Sequence, residues 1–437
     1  MIENRQFRLN RFEVIGAEPS IAQVIERWIG KDALRWYISQ ITDSEIVVEA
    51  TFFDGHLAEL EEEDAGPRSW NPGKSVVVSI IPTGIGCDLG GYAGDAAPAT
   101  NLLAATADYL VTNPNAVNAS NFISMADNLL YTEGLAIDQF MKGRVDLHIP
   151  YANRVGLIIE KSEPEQLDVV FNVVNTVRAV YGIDIVDCLI TDQRIGSRCV
   201  ENASGAYVGT VDRPDVLLDA ADRLIRQGAN AIAVTTNIQD LPPDNYVKHF
   251  DGEYPNPLGG VEAVISHLLV NHFQIPAAHA PMINCKELDL THSIVDARGA
   301  GEMASVSGLA CVLIGLRRAP HISPQRCFRS ADAVNVRNVL ALVVPATSLG
   351  GIPGIYAHKH GIPIVAVREN RTIMGVPAAK MGFDNVVEVE NYCEAAGVLL
   401  ALRKGIHLGG VRRPIPTLRH GLGRTAAAAK EKRFRLA

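Results

Sequence analysis

Short runs of Val, Ile, Leu and Ala, bounded by Gly, Pro, Asn and Asp, alternate along the chain with longer stretches in which apolar residues return every three or four positions. The short runs predict buried β-strands and the longer stretches predict amphipathic helices. Strands are expected at 75–81, 155–160, 183–191, 229–235, 339–345 and 362–367, and helices at 20–40, 98–109, 165–181, 214–227, 260–273 and 391–404. Ser162-Glu163-Pro164-Glu165 and Asp212-Arg213-Pro214-Asp215 mark two helix starts, each with a polar cap before a Pro whose fixed φ suits a first turn. Nearly continuous apolar strands separated by helices imply parallel sheets covered on both faces. The expected fold is α/β, with two Rossmann-like lobes, mostly parallel sheets and an inter-lobe cleft.

The pattern also divides the chain. Residues 1–74 read as an N-terminal α+β segment that ends in an acidic linker. The linker carries Glu59, Glu61, Glu62, Glu63 and Asp64, then Gly66-Pro67 and Pro72-Gly73. Residues 75–150 and 335–408 read as two parts of one glycine-loop lobe, and 151–334 as a central α/β lobe inserted between them. Residues 409–437 form a basic tail. No repeat of solenoid period is present.

Composition narrows the class. At 437 residues and 47% hydrophobic the chain can bury a large core. Seven cysteines lack C-x-x-C spacing, and Met1 to Asn10 offer no apolar leader, so a cytoplasmic location is expected. No stretch is long enough for a membrane span. The formal charge is −9, yet residues 403–437 hold ten Lys/Arg and one acidic residue, Glu431, which leaves the body acidic. Such a surface argues against nucleic-acid binding. The basic tail fits a solvated arm or one docked on the acidic body, and a homo-oligomer is expected.

The densest candidate chemistry follows the first expected strand, in Pro82-Thr83-Gly84-Ile85-Gly86-Cys87-Asp88-Leu89-Gly90-Gly91-Tyr92-Ala93-Gly94-Asp95. Gly84, Gly86, Gly90, Gly91 and Gly94 let backbone N–H groups approach a ligand, and the next helix N-terminus favours an anion. The segment is neither a P-loop nor a clean dinucleotide fingerprint. Thr83 is a further binding candidate. Asp95 and Asp88 are the acid–base candidates, although Asp95 is also placed to cap the following helix. Cys87 is a candidate nucleophile whose competing reading is an inert small hydrophobe.

Other strand ends add polar groups. Asn113, Asn115 and Asn118, with Asn121, offer amides suited to a polar group, or to a turn. A second glycine loop at Ser348-Leu349-Gly350-Gly351 opens a helix bearing His358 and His360, which point to different faces. In the central block Thr236 and Asn237 close a strand. Arg298 could clamp an anion, with Asp296 or Glu302 orienting it or moving a proton, or it could form a helix-start ion pair with Glu302. His267, His272, His279 and His292 lack metal-ligand spacing.

The string P-T-G-I-G, with G-G-Y-A-G-D-A and then Thr112-Asn113-Pro114-Asn115, resembles a domain family of unknown function. The likeness extends from Ser75 to Lys404. Gly259-Gly260-Val261-Glu262-Ala263 after Tyr254-Pro255, Ala346-Thr347-Ser348-Leu349-Gly350-Gly351, and Glu369-Asn370-Arg371-Thr372 carry it further. The family implies a shared site and no particular reaction. Val234-Thr235-Thr236-Asn237 is more distantly similar to the aspartate/glutamate racemase type, which implies a two-lobed fold. Thr236 stands where that family has its catalytic Cys.

These features lead to the expectation of an enzyme acting by acid–base chemistry on a small anionic metabolite, as a lyase, isomerase or hydrolase. The missing fingerprint argues against a typical NAD dehydrogenase. The alternatives are a Mg-dependent nucleotide-using transferase or ligase, and a non-catalytic metabolite-binding protein. No cofactor is required by the sequence, and Mg remains open.

Overall fold

A computed structural model describes residues 1–17, 20–30, 33–62, 73–119, 122–123, 125–239, 243–253, 255–282, 294–305, 307–324, 333–415 and 417. Part of the acidic linker (63–72), Asn121, Tyr254, Cys285, His292, Cys327 and residues 418–437 of the basic tail lie outside them.

The strands are β1 (Ile2–Asn10), β2 (Ala33–Ile41), β3 (Glu45–Phe53), β4 (Val76–Ser79), β5 (Tyr109–Thr112), β6 (Leu129–Tyr131), β7 (Arg154–Ile159), β8 (Asp184–Ile190), β9 (Ala231–Thr236), β10 (Ala277–Pro281), β11 (Val339–Pro345), β12 (Ile364–Val367) and β13 (Val386–Val389). The main helices are α1 (Ala97–Ala104), α2 (Gly134–Met141), α3 (Pro164–Tyr181), α4 (Pro214–Arg226), α5 (Gly259–Phe273), α6 (Leu309–Leu316), α7 (Ile352–Lys359) and α8 (Tyr392–Arg403).

A six-stranded parallel sheet runs β13-β12-β11-β4-β5-β6, and a four-stranded parallel sheet runs β8-β7-β9-β10. Counted within the larger sheet, the order is the doubly wound 3-2-1-4-5-6, whose direction reverses between β4 and β11. Alternate residues of each strand enter two different cores. Val76, Val78, Leu342 and Val344 pack with Phe140 and Tyr356 on one face, while Val77, Leu110 and Val343 pack with Leu103 and Leu399 on the other. Burial on both faces explains why these strands are almost wholly apolar. The second sheet is covered in the same way, by α4 and α5 on one face and by α3 and α6 on the other. The class is therefore mixed α/β with mostly parallel sheets.

The expected helix at 20–40 is only half present. A helix covers Ile21–Ile29 and stops at Gly30, which adopts φ 90°, and β2 follows. In β2, Leu34, Trp36 and Ile38 are buried and alternate with Arg35 and Tyr37, so the period of two decides the outcome. β2 joins β1 and β3 in an antiparallel sheet of order β1-β3-β2. That sheet is tied to the second glycine loop by the Ile38 N–H to Gly350 O hydrogen bond of 3.0 Å. The linker is not wholly solvated: Glu62 accepts from the Tyr356 hydroxyl at 2.8 Å and pairs with Lys359.

Candidate functional site

The carboxyl ends of β4, β5, β6 and β11 converge with β10, with the start of α5 and with β2. Together they line a cavity of about 410 Å3. Most of its wall is apolar, including Ile81, Tyr131, Ile137, Phe250, Leu258 and Met374. Arg35, Glu133, Asp138, Glu262, His267, His279 and Glu302 interrupt that wall. A mainly apolar hollow with a few convergent polar groups, lying beyond the strand ends, is the usual form of a small-molecule site. Glycine packing brings the elements close. Gly84 has φ +74°, and a Cβ there would lie 2.6 Å from Tyr207 O. A Cβ on Gly260, in the first turn of α5, would lie 2.2 Å from the same oxygen.

A hydrogen-bonded pair, Glu133 and His267, stands on the wall. Glu133 follows β6 and caps α2, with Oε2 accepting from Leu135 N–H at 2.8 Å and Ala136 N–H at 3.2 Å. Its Oε1 accepts from the Ser266 hydroxyl at 3.2 Å and meets His267 Nδ1. With Glu133 ionised, the ring proton sits on Nδ1 and Nε2 presents its lone pair. Among the described residues the ring's hydrogen bond is made through Nδ1, and none is made by Nε2.

A second pair lies on the same wall. His279 Nδ1 is 3.4 Å from Glu262 Oε2, and its Nε2 is 2.9 Å from Thr236 Oγ1. Thr236 in turn bonds Ser197 Oγ at 3.1 Å. Both ring nitrogens of His279 are therefore engaged. The order Thr, His, Glu is that of a nucleophilic triad, but Thr236 is fully buried and off the cavity wall.

Two further carboxyls on the wall are pushed towards neutrality. Burial raises Glu302 to about 7, against the opposing pull of the Ala93 N–H that it accepts. Burial likewise raises Asp138 to about 7. Both can hold a proton where ordinary carboxyls cannot.

Of the residues singled out from sequence, Thr83, Asn113, Asn115, Glu302 and Gly351 lie on the cavity wall. The two amides are also structural. Asn113 spans the Ile81 backbone, accepting at 3.0 Å and donating at 2.6 Å, and Asn115 donates to Gly90 O at 3.3 Å. Nothing is described of the Asn118 side chain. Asp95 neither caps α1, whose cap is Ala96, nor reaches the wall. It accepts from Gly90 N–H at 2.9 Å and Tyr92 N–H at 3.3 Å, while burial raises it to about 6.

The expected anion cradle of the first glycine loop is therefore largely spent. Its N–H groups at Asp88, Leu89, Gly90, Tyr92, Ala93 and Gly94 already have protein acceptors. Asp88 faces outward and pairs with Arg371 at 2.7 Å. Cys87 is buried, and burial drives its thiol pKa up, opposite to what a nucleophile needs. Gly86 and Gly91 shape the loop, a Cβ on Gly91 meeting Cys87 O at 2.5 Å.

Arg298 pairs with Asp296 at 2.9 Å, not with Glu302, and lies 5.2 Å from the Tyr92 ring centroid. It holds Asp296 down at about 2. Asn237 serves the central sheet, its N–H donating to the buried Glu160 at 2.8 Å. Gly350 makes room for Ile38, and Gly351 caps α7. His358 and His360 are partly buried and bonded, to Asn385 and to Met141 O. Among the described residues no group of three or more His, Cys, Asp or Glu is placed to hold a metal ion.

Sequence reasoning missed Glu133, His267, His279 and Arg35 as site residues. A signal existed for the first of these: Tyr131-Thr132-Glu133-Gly134 sets an acid between a strand end and a helix start.

Fold and site together define an α/β protein with a histidine–carboxylate cavity beyond the strand ends of a parallel sheet. The chain belongs to the family described as a protein of unknown function (DUF3326), which matches residues 76–412. The likeness to a family of unknown function is thus borne out. An uncharacterized lipoprotein of Synechococcus sp. is 38% identical over 337 residues, covering 75% of this chain and 91% of the relative. No solved structure matches. The expectation of a cytoplasmic location is overturned by that relative, since its name is that of a lipoprotein, a lipid-linked class. Among the described residues no helix is long and apolar enough to cross a membrane.

Proposed function

We propose that this protein is an enzyme acting by acid–base chemistry on a small anionic metabolite held in the cavity. In this reading the two parallel sheets are Rossmann-like lobes and the cavity is the cleft between them. The observation that carries it is His267, whose Nδ1 is fixed by a capped carboxylate and whose Nε2 is unpartnered on the wall.

His267 Nε2 takes a proton from an activated C–H or O–H of the ligand, and the imidazolium is balanced by Glu133. Glu302, raised by burial to about 7 and so in part protonated near neutral pH, returns a proton to the atom that gains the electron pair. The cycle closes when His267 gives up its proton and Glu302 regains one. Such positioned proton transfer contributes about 10²- to 10⁴-fold to rate.

The test needs no prior substrate. A panel of small carboxylic and keto acids is incubated in D2O with the protein, and deuterium incorporation at carbon is followed by NMR. Exchange that disappears in His267→Gln, with the fold intact by circular dichroism, supports the reading. Absence of exchange across the panel, or exchange indifferent to His267→Gln, counts against it.

A further inference from the structure

We infer that Arg35 and Ser348 form a carboxylate-binding subsite, so that the N-terminal sheet selects the ligand; this rests on the cavity being the ligand site. Arg35 belongs to β2, outside the region 76–412 that the family shares. It lies on the cavity wall, and its guanidinium forms no hydrogen bond or ion pair among the described residues. Its Nε is closed off from solvent and has no partner. Asp138 acts on it, and burial raises that carboxyl to about 7, so near neutral pH it is only partly ionised and offsets the cation only in part; the Tyr37 ring lies 5.8 Å away and carries no charge.

Ser348 stands at the end of β11 on the same wall, and its Oγ is likewise buried without a partner. Buried polar atoms in native proteins are almost always satisfied, so two orphans on one cavity wall call for a third party. The loop that carries Ser348 is bonded to β2, and it leads into α7, whose first-turn N–H groups add positive potential.

The required group is an anion that accepts from a guanidinium and a hydroxyl at once, which a carboxylate does. Charge balance favours a monoanion. One unpaired cation faces a wall that also carries Glu133 and Glu262, so a phosphate dianion would be repelled. The largely apolar remainder of the wall fits an apolar body behind that carboxylate. The shared family region then supplies the proton chemistry, and the N-terminal sheet supplies the selection.

The experiment compares hexanoate, hexyl phosphate and 1-hexanol as probes of the full-length protein at pH 7, by ligand-observed NMR titration. Hexanoate should bind at least about tenfold more tightly than the other two. Arg35→Gln should remove the preference over hexanol, Ser348→Ala should reduce it, and Arg35→Lys should restore part of it, with thermal melting checking each fold. Binding is read without turnover, so a hexanoate preference in a protein that shows no deuterium exchange separates this subsite from the proton-transfer reading. Equal or absent binding of hexanoate and hexanol, stronger binding of hexyl phosphate, or a preference that survives Arg35→Gln would overturn the assignment.

Discussion

The carboxylate of Glu133 caps helix α2 with one oxygen and holds the imidazole of His267 with the other, although the two residues are 134 positions apart. One side chain thus couples the stability of a helix start to the tautomer of the proposed base. Glu133→Gln keeps one acceptor oxygen, enough for the Leu135 and Ala136 cap, but turns an amide N–H towards His267 Nδ1 and loses the charge. Its folding midpoint in urea should move little, while deuterium exchange falls about 10²-fold or more. Glu133→Ala should show the same loss together with about 1 kcal/mol of lost cap.

Glu302 gives a dependence on pH with a definite sign. Its pKa in the fold, about 7, lies above the ordinary 4.5, so the folded protein holds this proton more firmly than the unfolded chain. The resulting stabilisation is complete below about pH 4.5 and is lost as pH rises through about 7. Glu302→Gln removes the titration and keeps an acceptor for the Ala93 N–H. The melting temperature of the variant should rise relative to the native chain between pH 4.5 and 7, by an amount corresponding to at most about 3 kcal/mol. A constant difference across that range would refute the assignment.

Asp95 serves the glycine loop. Asp95→Asn retains an acceptor oxygen for one of the two N–H groups, at Gly90 or Tyr92, and should keep most deuterium exchange. Asp95→Ala leaves both without that acceptor and should cost about 1–3 kcal/mol in a denaturation curve. Loss of exchange in a stable Asp95→Asn would instead return Asp95 to the chemistry.

Two glycine-to-alanine changes should have opposite signs. At Gly350 a new Cβ would lie 2.4 Å from Ile38 O, and backbone cannot yield as a flexible side chain does. Gly350→Ala should destabilise by about 1–3 kcal/mol. At Gly397, exposed within α8 and with nothing within 4 Å, alanine should stabilise by about 0.8–1 kcal/mol. Urea midpoints read both.

Thiol labelling separates the cysteines. Cys393 is exposed and should react within minutes with an aromatic disulfide reagent, whereas Cys87 should react only on unfolding. Peptide mapping by mass spectrometry distinguishes them, and fast labelling of Cys87 in the native state would contradict its burial.

The central strands were legible because burial on both faces removes polar interruptions from Val76–Ser79, Val339–Pro345 and their neighbours. Short strands such as Leu129–Tyr131 carry too few residues to show a period. In β2 the alternation was present, and reading it as the end of a helix hid Arg35. The glycine loops stood out because glycine spacing is local. The pairing of Glu133 with His267 is not local: it arises only where α2 packs against α5, so neither residue announces its partner in the sequence.

The larger sheet is split, with Val76 of β4 lying beside Val339 of β11. During synthesis β4, β5 and β6 leave the ribosome long before their neighbour exists, while the four strands of the other sheet emerge consecutively and can close on themselves. The nascent chain must therefore keep an open, apolar strand edge until its last quarter is made. Such late, long-range closure slows folding and exposes an aggregation-prone edge. Nascent chains halted before residue 339 should associate with chaperones, and release should coincide with the emergence of β11.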